Sequence, residues 1–190
     1  MIADYEGVVG PGSHTMKIGL LVRQNRCELI SKMTGLSVEK SLEFGRALQR
    51  KHNTESYEYV ICLEFGITLA EYSSQVYAPI LPALRKELKK DDSLPMLLNE
   101  VGLPKAILSN TAGVYVNSCL AAQGLEGHFS FVVAAEELDN GKIAKPQKEA
   151  YLKALEITGF DPKETIYLDD IQINLVVPHD FGMSTAQIGA

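Results

Sequence analysis

The chain has 190 residues, which is enough for one domain with an inserted or appended subdomain. Hydrophobic residues make up 46% of the chain and charged residues 22%, as in an ordinary globular protein. The formal net charge is -6, and no dense cluster of Lys and Arg occurs. A nucleic acid or an anionic membrane is therefore excluded as the main partner, whereas a small anionic substrate is compatible with a metal ion or a few placed donors.

The cysteines indicate the compartment. Cys27, Cys62 and Cys119 lie far apart and match no metal-binding spacing, which favours reduced thiols in a cytoplasmic protein. No apolar run is long enough to span a membrane, and no signal-peptide pattern is found. We expect no membrane association, and a monomer or a homodimer.

The first half of the chain is predicted to be helical. Apolar residues recur at helical spacing from about residue 15 to residue 90. Ser37 is a predicted N-cap for a helix with Val38 on its apolar side, and Thr68 with Glu71 fits a capping box.

Short apolar runs then alternate with helical segments in the second half. The predicted strands are Met1–Ala3, Lys105–Leu108, Phe129–Val133, Thr165–Leu168 and Ser184–Ile188. This alternation predicts an α/β fold with a mostly parallel, Rossmann-like sheet flanked by helices. Ligands of such sheets bind beyond the carboxyl ends of the strands, where Asp4, Ser109 and Asp169 follow their strands.

Four short segments place reactive side chains at or near this edge. They are Asp4-Tyr5-Glu6-Gly7-Val8-Val9, Leu108-Ser109-Asn110, Ala144-Lys145-Pro146, and Leu168-Asp169-Asp170 followed by Asn174. Phosphoryl transfer requires these groups, because a carboxylate can attack phosphorus, oxygen ligands can hold Mg²⁺, and cations or hydrogen-bond donors can balance the phosphoryl charge.

In this order, the four segments resemble the four motifs of the haloacid-dehalogenase superfamily. The family pattern D-x-D-G-[TV]-[LV] is met by residues 4–9 with one departure, and the strand followed by [ST]-N is met by residues 107–110. Residues 141–146 are similar to the stretch with the family lysine, and residues 166–174 are similar to hhhDDxxxN. The resemblance covers the first few residues and the chain from about residue 94 onward.

The resemblance implies a division of the chain. Residues 1–14 and 91–190 would form the Rossmann-like core, and residues 15–90 an inserted, all-helical cap. Such a cap closes over the site, excludes water and selects the leaving group. We expect the segment 64–68 to face the site.

The resemblance also implies catalytic roles. Asp4 would be the nucleophile that becomes phosphorylated, and Glu6 stands where the family has an acid/base Asp. Ser109 and Asn110 would bind phosphate oxygens, and Lys145 would neutralise the nucleophile and the transferring group. Because Glu is one methylene longer than Asp, the carboxyl group is displaced by about 1 Å, a change that can cost about 10²-fold in rate.

The same resemblance implies a Mg²⁺ site. Asp4, Asp170 and, with them, Asp169 would supply carboxylates, and Glu6 would offer its backbone carbonyl. Asn174 would support the loop that carries the acidic pair.

The resulting hypothesis is a Mg²⁺-dependent phosphomonoester hydrolase acting on a small nucleotide or sugar phosphate through an aspartyl-phosphate. One alternative is a C–halogen hydrolase that uses Asp4 without a metal, against which the pair Asp169–Asp170 argues. Another is a binding protein without activity, which Glu6 and the short first strand would favour.

Overall fold

The computed structural model describes residues 1–10, 17–88 and 93–189, apart from the side chain of Arg85. Both predicted boundaries between core and cap, at residues 14–15 and 90–91, lie outside the described residues. The division into two such domains therefore stays a prediction.

Five parallel strands form one sheet. They are β1 (Ile2–Ala3), β2 (Ala106–Leu108), β3 (Phe131–Val133), β4 (Ile166–Asp169) and β5 (Ser184–Gln187). Their order across the sheet is β3-β2-β1-β4-β5, and every neighbouring pair is parallel. The predicted Rossmann-like α/β fold is confirmed, and the two-residue β1 occupies the centre of the sheet.

Helices fill the connections between the strands. Six of the described helices lie between β1 and β2: α1 (Lys17–Thr34), α2 (Val38–His52), α3 (Tyr57–Phe65), α4 (Leu69–Val76), α5 (Leu81–Glu87) and α6 (Ser93–Glu100). The others are α7 (Gly113–Gln123), α8 (Lys148–Thr158) and α9 (Val176–Asp180). Within the described ranges, none of the helices is both long and apolar enough to cross a membrane.

Local hydrogen bonds explain where several helices begin. The Ser37 side chain accepts from the backbone N–H of Lys40 at the start of α2, and Thr68 with Glu71 forms the predicted capping box of α4. The prediction that Val38 lies on the buried apolar side of this helix is wrong, because Val38 is 41% exposed. It is the first residue of α2.

The central strands β1 and β2 are buried on both faces, and alternate residues of a strand reach opposite sides of the sheet. Ile2 packs in a cluster with Tyr151 of α8 and Tyr167 of β4, whereas Ala3 belongs to the cluster on the other face. That second cluster also contains apolar residues of α1, α3, α4, α5 and α7. We call α1–α5, residues 17–88, the helical insertion. It shares one hydrophobic core with the sheet through α5, which packs on α7.

Candidate active site

The central strands bring the sequence motifs together. β1 lies between β2 and β4, and its Ala3 pairs with Leu168. The backbone N–H of Asp4 donates to the Leu168 carbonyl at 2.8 Å. Asp4 therefore leaves the sheet beside Asp169, although 165 positions separate these residues along the chain.

Lys145 joins the two aspartates. Its Nζ lies 3.0 Å from Asp4 Oδ1 and 2.9 Å from Asp169 Oδ2. All three residues are buried, with exposed fractions of 7%, 2% and 0% for Asp4, Lys145 and Asp169. Because buried charges are unfavourable unless they are paired, this arrangement keeps the lysine and both carboxylates ionised together.

Asp169 is the most strongly held member of this group. Its carboxylate also accepts hydrogen bonds from the Tyr167 hydroxyl at 2.8 Å, the Ile171 backbone N–H at 2.9 Å and the Asn174 side-chain amide at 3.0 Å. Burial alone would raise the pKa of Asp169, but Lys145 and these donors outweigh it and hold the pKa below its usual value. Asn174 thus lies where the sequence predicted a supporting role for the loop.

Asp4 has a different environment. Burial raises the pKa of its carboxyl to about 6, with Lys145 opposing the rise and the charge of Asp169 adding to it. Its Oδ1 also accepts from the Tyr5 backbone N–H at 2.7 Å. Both of these contacts are made by Oδ1, so within the described residues Oδ2 is left to meet a metal ion or a phosphorus atom.

Three carboxylates meet at one point. One oxygen each of Asp4, Asp169 and Asp170 lies within 4.8 Å of the others. Carboxylate oxygens are the ligands that Mg²⁺ prefers. The residues present therefore fit a divalent cation.

Gly7 lets the first loop pass close to this cluster. Its φ is +81°, and a Cβ built there would lie 2.3 Å from Asp170 Oδ2. The loop therefore needs a residue without a side chain at this position, both for its backbone conformation and for the approach of Asp170.

Glu6 lies on the same loop but outside the three-carboxylate group. It is half-buried, and the Thr111 hydroxyl donates to its Oε2 at 3.4 Å. Burial raises the pKa of Glu6 to about 7, with the charges of Glu58 and Asp4 adding to the rise and Arg26 opposing it. The sequence had given Glu6 a metal contact through its backbone carbonyl, and that assignment stays a prediction.

Ser109 and Asn110 follow β2 on the other side of Asp4. The Ser109 hydroxyl accepts from the Thr111 backbone N–H at 3.2 Å, so its own proton can be donated to a ligand. The Asn110 side chain accepts from the Lys145 N–H at 2.7 Å and donates to the Lys145 carbonyl at 3.1 Å. Both polar atoms of this amide are thus used to hold the backbone of Lys145.

A cavity of about 260 Å³ lies between this edge of the sheet and the helical insertion. Asp4, Glu6, Ser109, Asn110, Thr111, Lys145, Asp170 and Asn174 line it from the sheet side. From the insertion it is lined by residues 55–58, among others, and not by the predicted segment 64–68.

Three arginines of the insertion also line the cavity, and sequence analysis missed them: Arg23, Arg26 and Arg46. The spacing of Arg23 and Arg26 could have placed both on one helix face.

The parallel sheet, with acidic residues and a lysine converging at its carboxyl edge, defines an α/β enzyme core. The family model described as "Haloacid dehalogenase-like hydrolase" matches residues 28–188. The chain belongs to this family and is a hydrolase of that class. Because the match starts after Asp4 and Glu6, it does not test the roles of these two residues.

Solved structures share the fold at low sequence identity. A haloacid dehalogenase family enzyme, BT-2542 from Bacteroides thetaiotaomicron, is 21% identical, with a TM-score of 0.64 over 98% of this chain and 91% of that chain. A structure of the same enzyme in complex with magnesium and inorganic phosphate gives 20%, a TM-score of 0.58 and the same coverages. L-2-haloacid dehalogenase from Xanthobacter autotrophicus is 20% identical, with a TM-score of 0.53 over 98% of this chain and 75% of that chain. No curated protein matches this chain.

Proposed function

We propose that this chain is a Mg²⁺-dependent phosphomonoester hydrolase that acts on a small phosphorylated metabolite through an aspartyl-phosphate at Asp4. The observation that carries the proposal is the meeting of Asp4, Asp169 and Asp170 around one point, beside the buried Lys145. A cation held there would neutralise the phosphoryl group as charge develops on it, which is the main requirement of this reaction. The similar enzyme from Bacteroides thetaiotaomicron has been solved with magnesium and inorganic phosphate.

Asp4 is the proposed nucleophile. An oxygen of its carboxylate attacks phosphorus while the bond from phosphorus to the leaving oxygen breaks. Lys145 Nζ, 3.0 Å from Asp4 Oδ1, keeps the carboxylate charged and meets the incoming phosphoryl group. Because Tyr5 and Lys145 fix Oδ1, the carboxylate is oriented before the substrate binds.

Glu6 is the proposed general acid and base. It lines the cavity two residues after Asp4 and would give a proton to the leaving alkoxide. In the second step it would take a proton from the water that attacks the aspartyl-phosphate, releasing inorganic phosphate and restoring Asp4. Thr111 would hold the longer Glu side chain in place through its hydroxyl.

Ser109 and Asn110 are proposed to bind the phosphoryl oxygens in different ways. The Ser109 hydroxyl would donate directly. The Asn110 side chain is already bonded to the Lys145 backbone, so it would contribute through its backbone N–H and by positioning Lys145. Together they would form a set of donors for the equatorial oxygens.

The experiment is hydrolysis of p-nitrophenyl phosphate with and without Mg²⁺. We expect turnover that EDTA abolishes, and loss of activity in Asp4→Asn. Asp180→Asn is the matched control, because Asp180 is exposed at the end of α9, away from the cavity. Mass spectrometry of acid-quenched enzyme should detect a phosphorylated peptide that contains Asp4. Equal rates in EDTA would contradict the proposal.

A dehalogenase is the competing function, because L-2-haloacid dehalogenases share the fold. Such chemistry would use Asp4 without a cation, and Asp169 would then serve to hold Lys145 rather than a metal ion. Halide release from 2-chloropropionate, in the absence of phosphatase activity, would favour the dehalogenase. Absence of both activities would favour a binding protein.

A further inference from the structure

The wall of the cavity opposite Asp4 is rich in arginine. Arg23 and Arg26 lie three residues apart on α1, and Arg46 lies on α2, which packs along α1. All three line the same cavity as Asp4 and Lys145. Residues three apart share one face of a helix, so the arginines of α1 point into the cavity from the same side.

The charges of Glu58 and Glu6 act on Arg26, but neither carboxylate is close enough to form an ion pair with it. Among the described residues, none of the three arginines forms an ion pair with a carboxylate. Arg26 stacks on the ring of Tyr57, with its guanidinium carbon 3.7 Å from the ring centroid, and its buried Nε has no hydrogen-bond partner. A buried donor without an acceptor is unfavourable, and an acceptor on a ligand would satisfy it.

The two acids on this wall do not supply that acceptor. Glu58 is buried and accepts a hydrogen bond from the Tyr77 hydroxyl; burial raises its pKa, and the Tyr77 hydrogen bond and the charge of Arg26 oppose the rise. Glu55 is exposed, at a position that also lines the adjoining groove. Within the described parts of the chain, Arg23, Arg26 and Arg46 therefore remain without an ion-pair partner on this side of the cavity.

We propose that the leaving group of the substrate carries a second anionic group, a carboxylate or a second phosphate, that Arg23, Arg26 and Arg46 bind. The inference rests on the proposed function, because it takes the phosphoryl group to sit at Asp4 and Lys145. A planar guanidinium binds either anion through paired hydrogen bonds, and three of them form a site for one anion. A cavity of about 260 Å³ admits a small metabolite with one anion at each end.

The test compares substrates that differ by one anionic group. 3-Phosphoglycerate is paired with glycerol 3-phosphate for the carboxylate, and fructose 1,6-bisphosphate with fructose 6-phosphate for the phosphate. In at least one pair we expect kcat/KM to be higher for the doubly anionic member by about tenfold or more, the effect of one charge-assisted hydrogen bond. The difference should appear mainly in KM, and the pair that shows it identifies the second anion.

Arginine variants show whether this selectivity comes from the proposed site. Arg23→Gln and Arg46→Gln should bring the ratio within the selective pair toward one. Arg50→Gln is the matched control, because Arg50 lies one turn beyond Arg46 on α2 and lines only the adjoining groove. It should keep the wild-type ratio. Arg23 and Arg46 are chosen rather than Arg26, because Arg26 stacks on Tyr57. Circular dichroism checks that each variant is folded.

Failure of this inference and failure of the proposed function are distinguishable. If both pairs are hydrolysed with ratios near one, or if the arginine variants keep the wild-type ratio, the second-anion site is wrong and the phosphatase stands. If no phosphate is hydrolysed, calorimetry with phosphonoacetate and ethylphosphonate tests the site without turnover. Tighter binding of phosphonoacetate that Arg23→Gln removes would support the site, and equal binding would overturn it.

Discussion

The two walls of the cavity differ in how their charges are compensated. On the sheet side, Lys145 is bonded to Asp4 and Asp169, and Asp169 has three further donors. On the side of the helical insertion, Arg23, Arg26 and Arg46 have no carboxylate partner among the described residues. The charges on the sheet side are therefore paired within the protein before any ligand binds.

This difference separates chemistry from selection. A reacting centre benefits from groups that are oriented before the substrate arrives, because no reorganisation is then needed during the reaction. A wall that selects the leaving group gains specificity when its polar groups are satisfied only by the correct ligand. On our proposals, the sheet edge performs the first task and the insertion the second.

Among the variants considered, replacement of Lys145 should cause the largest loss of stability and of activity. Lys145→Met leaves Asp4 and Asp169 buried without their cation, and breaking a buried pair in this way costs about 3 to 5 kcal/mol of unfolding free energy. Loss of a charge-stabilising donor should also lower kcat by about 10²-fold or more. Urea unfolding in EDTA, followed by circular dichroism, and phosphatase assays at saturating Mg²⁺ measure the two effects.

The control for this variant is Lys142→Met. Lys142 lies three residues earlier, with an exposed ion pair to Asp139 at 3.7 Å. It should change stability by less than about 0.5 kcal/mol and leave kcat unaltered. Equal losses in the two lysine variants would show that the buried position of Lys145 is not what matters.

Gly7→Ala should weaken Mg²⁺ binding, because it changes the loop beside Asp170. At a positive φ, alanine costs about 1 to 2 kcal/mol, and here its Cβ would also displace Asp170. Gly35→Ala is the matched control, since its φ is +75° with nothing within 4 Å of a Cβ. Gly7→Ala should lose at least as much stability in EDTA as Gly35→Ala, and only Gly7→Ala should need about tenfold or more Mg²⁺ for half-maximal activity. The same Mg²⁺ requirement in both would contradict a metal role for Asp170.

A smaller effect is expected where the two walls touch. The Thr54 hydroxyl, between α2 and α3, donates to the Lys145 carbonyl at 3.0 Å. Thr54→Val should cost about 1 kcal/mol and lower kcat by less than about tenfold, since Asn110 still holds that carbonyl. Thr165→Val, which removes a 2.7 Å bond to the Asp161 carbonyl at the far end of β4, should cost similar stability without a change in kcat. A kcat loss as large in Thr165→Val would rule out the specific link through Thr54.

The smallest effect is expected for an ion pair on the surface of the insertion. Lys51 and Glu64 are 3.0 Å apart, with side chains 60% and 31% exposed. Lys51→Ala should change the free energy of unfolding by less than about 0.5 kcal/mol, measured by urea unfolding. A loss as large as that of Lys145→Met would show that burial does not distinguish the two ion pairs.

Much of the fold could be predicted from the sequence because the signals are local. The run Lys105–Leu108 and the capping pattern at Thr68 and Glu71 specify a strand and a helix start within a few residues. The order of four motifs was enough to indicate the family. The expected exposure of the segment 64–68 to the cavity was wrong because periodicity shows that a helix forms but not which loop its packing brings to the sheet.

The sequence by itself determined the alternation of strands and helices, the helix caps and the residues at the ends of the central strands. These depend on hydrogen bonds and apolar periodicity that neighbouring residues decide. Only the tertiary structure decided that Lys145 lies between Asp4 and Asp169, that the Asn110 side chain binds the Lys145 backbone, and that arginines of α1 and α2 face one cavity. Such contacts join residues distant in the chain, so they are set by how the helical insertion packs against the sheet.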